Sequence, residues 1–400
     1  MANNVILLDN IRIDPVLDIR NSAGAIHSKP QQDLWYRGLN TNDDDPSGKY
    51  KGSLFPASSY GGTVGGAVQL FLQFALPANV YITSDTDMTL TLEESSGTLR
   101  LTAIQYDATG RMQASIRPSY AKDGFPWGFA GDVTWTLTVG GTPSYSCWQI
   151  TRLEVYSLPG ALPAFYHGCV HVKFLRAFVL DARPESPEDT WTSYVTRAAF
   201  SKFGFCYDIF YGRPKYAGGG EGGPFDLHRW VRGINKHNMV NCYDQAGIVQ
   251  IANALGPPTV KTKWVFMKPF GYIKTTHLVG YPDNPCNSPF GRVAEKLLVG
   301  NDDENRTGFG NHAFVKVIND NGKATILDAC AGPQVGTLTF EEYIANTIQP
   351  AGAQSPGGTS CYSHAHEGIS RPGELKDAAE AFGTAALDYS DISLYNPDPT

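Results

Sequence analysis

Positive charge is in short supply in this chain: 32 Lys and Arg stand against 39 Asp and Glu, for a net charge of −7. That leaves no basic field to neutralise phosphates, which argues against nucleic acid or an anionic membrane surface as a partner. Long apolar runs are missing too, since none reaches the roughly 18 residues of a membrane span. The start, Met1-Ala2-Asn3-Asn4 and then Val5-Ile6-Leu7-Leu8 before Asp9, lacks the basic n-region and long apolar core of a secretory signal. The expected location is cytoplasmic, or released without a recognisable signal peptide. No CxxC pair occurs among the seven cysteines at 147, 169, 206, 242, 286, 330 and 361. A zinc ribbon and a disulfide scaffold are therefore both disfavoured. The odd count leaves at least one thiol unpaired within the chain. No internal repeat is visible.

What is present is apolar and loop-rich. Apolar residues make up 42% of the 400 and aromatics 12%, while charged residues are only 18%, below the usual quarter. The 42 Gly and 26 Pro are too aperiodic for collagen and too well mixed with aromatics for disorder. The length allows roughly two to three domains.

Residues 1–185 read as strands. Met88–Leu92, Leu99–Ile104, Val133–Val139 and Ile150–Val155 largely alternate with period two, and Val170–Leu175 continues the pattern. Short regular strands with Gly-rich turns predict an antiparallel β-sandwich-like region. Asp181–Pro187, with two prolines and three charges, reads as a linker. Residues 186–348 change texture. Thr190–Phe203 and residues 243–255 have helical patterns, followed by strand-like Lys263–Phe266, His312–Ile318 and Ala324–Leu327, an order that predicts an α+β domain. Residues 349–400 read as an extended Gly/Pro-rich C-terminal tail with one helical stretch around Glu374–Leu387.

Chemistry concentrates at Asn241-Cys242-Tyr243-Asp244. Asn241 is a good N-cap, and Asp244 three residues later resembles the acid of a capping box. Gly256 with Pro257 and Pro258 behind it is a stop signal. Ile248, Ile251 or Ala252, and Leu255 form one buried stripe. Cys242 thus takes the first helical position, where unpaired N–H groups and the positive end of the helix dipole favour a thiolate. A thiolate is the species that attacks carbonyls. A buried structural cysteine is the competing reading.

Such a nucleophile needs a base and a group to orient it. His312 opens the strand-like run His312–Ile318, and Asn319-Asp320-Asn321-Gly322 separates it from Lys323–Asp328. A three-residue loop of Asp320, Asn321 and left-handed Gly322 pairs Asn319 with Lys323 and Phe314 with Asp328. That register puts Asp328 on the face of His312, one pair diagonal to it. A two-residue loop would put them on opposite faces.

Asn241-Cys242-Tyr243-Asp244-Gln245-Ala246, closed by Ala254-Leu255-Gly256-Pro257, resembles the catalytic helix of the transglutaminase-like superfamily. His312-Ala313-Phe314-Val315-Lys316-Val317, with Leu327-Asp328-Ala329 downstream, resembles that family's His strand and Asp strand. The likeness covers about residues 186–348. It implies a papain-like α+β fold with Cys242 as nucleophile, His312 as base and Asp328 as orienting acid. It also implies acyl transfer through a thioester: an amide or ester donor acylates Cys242, and an amine or water accepts the acyl group. The implied partners are a peptide or protein amide of the glutamine type, or a small-molecule acyl donor. Cross-linking, deamidation, peptide hydrolysis and amide synthesis all stay open. The Cys242 backbone N–H would form part of the oxyanion hole. An upstream Trp completes that hole in the best-known members, a position matched by neither Trp230, 12 residues before the cysteine, nor Trp191, 51 before. Trp230 reads as a core aromatic. The leading β region echoes the animal enzymes, while their calcium sites do not carry over. The reading from a different class is a non-catalytic interaction protein that keeps the fold as a scaffold. Retention of Cys242, His312 and Asp328 together counts against it.

Four other segments read blandly. Asn42–Pro46 and Asn301–Asn305 are solvated acidic loops rather than cation sites. Cys361, His364, His366 and Glu367 form a flexible polar segment rather than a zinc shell. Gly218–Gly223 lacks the Lys and Ser/Thr of a phosphate loop and reads as a mobile loop beside the catalytic helix. No metal or cofactor is expected.

Overall fold

The computed structural model describes residues 6–13, 18–20, 33–36, 57–60, 66–76, 88–106, 111–140, 145–163, 166, 169–218, 225–268, 270–290, 297–300, 303, 306–318, 322–349 and 374–377. Outside them lie the acidic loop at 42–46, residues 219–223 of the glycine loop, all but Asp303 of 301–305, and the Cys/His segment at 361–367. The chain divides into two compact units, Met1–Leu162 with Gly168–Pro187 and Tyr395–Thr400, and Pro163–His167 with Glu188–Leu394.

The first unit contains β1 (Leu7–Ile13), β2 (Asp18–Arg20), β3 (Asp33–Tyr36), β4 (Ala57–Tyr60), β5 (Val68–Ala75), β6 (Met88–Glu94), β7 (Leu99–Tyr106), β8 (Arg111–Pro118), β9 (Trp127–Val139), β10 (Tyr145–Leu158), β11 (Cys169–His171) and α1 (Val172–Phe178). One sheet runs β3-β1-β5-β8-β7 and another β4-β10-β9-β6, antiparallel except where β4 lies parallel to β10. Alternate residues point inward, Val68, Leu70, Leu72 and Phe74 from β5 and Val133, Trp135, Leu137 and Val139 from β9. All eight enter one hydrophobic cluster fed by both sheets, as period-two patterning requires of strands with one buried face.

One strand expectation fails here. Val170–Leu175 is a strand only to His171, after which α1 begins. The His171 ring caps that helix by accepting the Lys173 N–H at 3.1 Å, and Val172, Leu175 and Phe178 then form a buried helical stripe. A short V-x-V-x-F run satisfies both periods, so the cap decides.

The second unit contains α2 (Trp191–Ser201), β12 (Cys206–Tyr207), α3 (Leu227–Gly233), β13 (Met239–Val240), α4 (Cys242–Asn253), β14 (Lys261–Lys268), β15 (Thr276–His277), β16 (Pro285–Cys286), β17 (His312–Ile318), β18 (Ala324–Asp328), β19 (Gln334–Val335), α5 (Phe340–Thr347) and β20 (Glu374–Asp377). Its main sheet is antiparallel, β19-β18-β17-β14-β20, and α4 packs across β17 and β14. At the far end of α4 the Trp191 ring lies 2.2 Å from where a Cβ on Gly256 would sit, so only glycine fits there. The helical expectation for Glu374–Leu387 is corrected over its first residues. Glu374–Asp377 is a strand paired antiparallel to Val265–Lys268, because the open edge of β14 supplies backbone partners that outweigh local propensity. The rest of that stretch lies outside the described residues. Among the described residues no helix is long and apolar enough to cross a membrane.

Candidate active site

The start of α4 is held by a closed ring of backbone and side-chain hydrogen bonds. Asn241 Oδ1 accepts the N–H groups of Tyr243 at 2.9 Å and Asp244 at 3.2 Å, and Asp244 Oδ2 accepts the Asn241 N–H at 3.1 Å. The buried Asp244 carboxylate also takes the N–H groups of Lys215, Tyr216 and Ala217 at 2.8, 2.7 and 2.7 Å. Burial pushes its pKa up, against these four donors, which favour the charged form. Asn241 Nδ2 donates to Gly212 O at 2.9 Å, and Asp208 orders the same loop by accepting from Phe210, Tyr211 and Arg213. Cys242 is left as the first helical residue, 3% exposed. Its backbone N–H makes no hydrogen bond among the described residues.

The hairpin of β17 and β18 has the register expected for a three-residue loop. Ile318 faces Ala324, Val317 faces Thr325 and Val315 faces Leu327, and Gly322 is left-handed with φ 75°. His312 and Asp328 therefore meet, Nε2 to Oδ2 at 2.8 Å, with side chains 0% and 1% exposed. Asp328 Oδ1 accepts the N–H groups of Cys330 at 2.7 Å and Ala331 at 3.1 Å. The Tyr343 hydroxyl of α5 donates to Oδ2 at 2.8 Å. Every lone-pair direction of that carboxylate is thus engaged, which fixes its plane and the imidazole it holds.

Phe309 and Phe270 wall the imidazole, with ring centroids at 4.6 and 4.8 Å. Burial alone would pull the His312 pKa below its ordinary 6.5, but the Asp328 carboxylate and then Cys242 outweigh it and hold it at about 10. The Cys242 side chain acts on the ring as a hydrogen-bonding partner and as a charge, although Nδ1 makes no hydrogen bond of full geometry. Tyr243, next along, reaches Asn311 Oδ1 with its hydroxyl at 3.0 Å, tying the helix start to the residue before His312.

Cys242, His312 and Asp328 are therefore brought together. The two tryptophans weighed for the oxyanion hole are not at this site. Trp191 Nε1 donates to Ala252 O at 3.0 Å, at the other end of α4, and Trp230 packs on Phe203 and Phe205. Sequence reasoning missed Tyr343. Its signal was present in Thr339-Phe340-Glu341-Glu342, a capping box opening a helix whose inward stripe carries Tyr343. Among the described cysteines, Cys147, Cys206, Cys242, Cys286 and Cys330 are free thiols, and the described residues contain no group of three or more acidic, His or Cys side chains able to hold a metal.

The chain matches no family profile and no curated protein sequence. Among solved structures it is similar to a transglutaminase from red sea bream, at a TM-score of 0.31 and 10% identity, over 78% of this chain and 54% of that one. The chain thus spans about half the length of that protein, and at this TM-score the likeness carries no argument.

Proposed function

We propose that this chain is a transglutaminase-like cysteine acyltransferase or amidohydrolase with Cys242 as nucleophile, His312 as base and Asp328 as orienting acid. The observation that carries the reading is the 2.8 Å bond from His312 Nε2 to Asp328 Oδ2, with the imidazole acted on by the thiol of a capped helix start. Since Nε2 is committed to a carboxylate, it carries a proton, and Nδ1 is the nitrogen that exchanges protons with the sulfur and substrate.

The chemistry runs in two halves. The Cys242 proton passes to His312, and the sulfur attacks the carbonyl carbon of an amide donor, placing an electron pair on the carbonyl oxygen. Collapse re-forms the C=O bond and breaks the C–N bond, while the leaving nitrogen takes the proton from His312. An amine or water then gives a proton to His312, attacks the thioester and expels the Cys242 thiolate, which regains its proton. The donor is a peptide or protein amide of the glutamine type, or a small acyl donor; the same steps serve cross-linking, deamidation, hydrolysis or amide synthesis.

The test is intact-mass analysis of the protein incubated with amide donors one at a time, without an amine. A covalent acyl adduct mapped to Cys242 is expected, absent from Cys242→Ala, whose melting temperature stays near that of the parent. A Cys242→Ala protein that unfolds would make the cysteine structural, and an adduct formed equally on other thiols would remove the nucleophile assignment.

A further inference from the structure

The loop from Asp208 to Arg213 touches both halves of the candidate site. On one side it is bonded to the start of α4: the Asp208 N–H donates to Val240 O at 2.8 Å, and Gly212 O accepts from Asn241 Nδ2 at 2.9 Å. On the other it lies against the wall of the base. A Cβ on Gly212 would fall 2.4 Å from the Phe290 ring, Phe290 and Phe309 have centroids 6.0 Å apart, and Phe309 is 4.6 Å from His312. Gly212 also has φ 59°, so glycine is required there twice over. The loop is stiff, because the Asp208 carboxylate takes the N–H groups of Phe210, Tyr211 and Arg213 at 3.1, 3.0 and 3.1 Å.

This stiff loop holds out two aromatic side chains that the core does not use, Phe210 at 50% and Tyr211 at 72% exposure. Rigid, exposed aromatics offer contact area with little left to order on binding. The Arg213 guanidinium lies over the Tyr211 ring, 4.8 Å from its centroid, and has no carboxylate partner among the described residues. A guanidinium on a ring face keeps its five N–H donors in plane, the fork that takes a carboxylate at two points. Lys215, two residues on, gives its Nζ to Asn238 Oδ1 at 2.6 Å and likewise meets no acid among the described residues. The carboxylate of the loop itself, on Asp208, is 6% exposed and committed to the three N–H groups. In a chain of net charge −7, an aromatic ledge with two uncompensated cations thus stands beside the nucleophile.

Resting on the acyl-transfer reading above, we infer that this ledge selects the acyl donor, a peptide glutamine flanked by an aromatic residue and by an Asp or Glu. The aromatic residue packs on Phe210 and Tyr211, and the carboxylate takes the Arg213 fork with Lys215 adding to the same field. Gly212 is bonded to the residue before Cys242, so a peptide whose amide is at the sulfur reaches the ledge with residues within about three positions of the glutamine. A small acyl donor has nothing to place there. The ledge therefore favours peptide donors of this charge over small ones.

The experiment uses N-acetylated glutamine peptides carrying one Phe and one Glu within three residues of the glutamine, and the same peptides with Arg in place of Glu. The rate of acyl-Cys242 formation is read by intact mass for each. The readout is the ratio of the two rates within one protein, so a general loss in a variant cancels. The parent is expected to favour the Glu peptides about tenfold. Arg213→Gln should bring the ratio near one and Arg213→Glu should reverse it. A second pair, with Phe replaced by Gly, should lose its ratio when Phe210 and Tyr211 are both changed to Ser. A parent ratio near one would overturn the inference, and so would a preference for Glu that survives in Arg213→Glu. The burst of 4-nitrophenyl acetate on the parent, which needs no ledge, separates the two failures. Without a burst the acyl-transfer reading fails first, whereas a burst with no preference among the peptides removes the ledge alone.

Discussion

Each compact unit buries a carboxylate against a tyrosine hydroxyl and a cationic partner, and the two networks end differently. In the first unit, Glu154 is 1% exposed. It accepts the Tyr156 hydroxyl at 2.6 Å and a two-point contact from Arg176 at 2.8 and 2.8 Å. No atom of those three side chains is among the buried polar groups left without a partner. In the second unit, Asp328 accepts Tyr343 and His312 at 2.8 Å each, yet His312 Nδ1 is left over, and the neighbouring thiol acts on its ring. The closed network can only hold a fold together. The open one keeps a nitrogen free to exchange a proton. Burial and charge are shared by both; the two differ in the nitrogen left over on His312, which on the acyl-transfer reading is the atom that exchanges the proton.

The comparison can be broken by substitution, beginning with the largest effect. Asp328→Asn keeps the shape but removes the charge that orients His312, and acylation of Cys242 by 4-nitrophenyl acetate is expected to slow about 10⁴-fold. The same variant has a pH signature. A histidine whose folded pKa is raised from 6.5 to about 10 adds stability that is fully present below about pH 6.5 and is lost as pH rises toward 10. Urea unfolding across that window should show the decline in the parent protein and a much flatter profile in Asp328→Asn. A parent profile that rises with pH would contradict the imidazolium–carboxylate pair.

Glu154→Gln should do the opposite. It leaves Arg176 short of its counter-charge and lowers stability by about 2 to 3 kcal/mol, with the Cys242 burst unchanged. A matching loss of burst rate would erase the distinction between the two networks. The smallest effect is expected of Tyr343→Phe, which removes one of four donors on Asp328 and slows the burst about tenfold. If it matched Asp328→Asn instead, the phenol rather than the carboxylate would govern the imidazole.

What was legible in the chain was local. Asn241, Asp244 and Gly256 mark the helix because caps act within one turn, and Asn319–Gly322 sets the hairpin register because a tight loop leaves few pairings. That register alone placed Asp328 against His312. The same logic misread Val170–Leu175, where one His cap turned a short apolar run from strand to helix. Glu374–Asp377 was beyond reach for a different reason. Its strand depends on pairing with β14, a partner about 110 residues away in the chain, and propensity does not encode such partners.

The central claim is that Cys242, among seven cysteines, is the one the open network activates. Competitive labelling at neutral pH with substoichiometric iodoacetamide, followed by peptide mapping, tests it most directly. The account predicts that Cys242 is modified first despite being 3% exposed, ahead of Cys206, the more exposed free thiol. Equal labelling of all seven cysteines, or labelling in order of exposure, would contradict it.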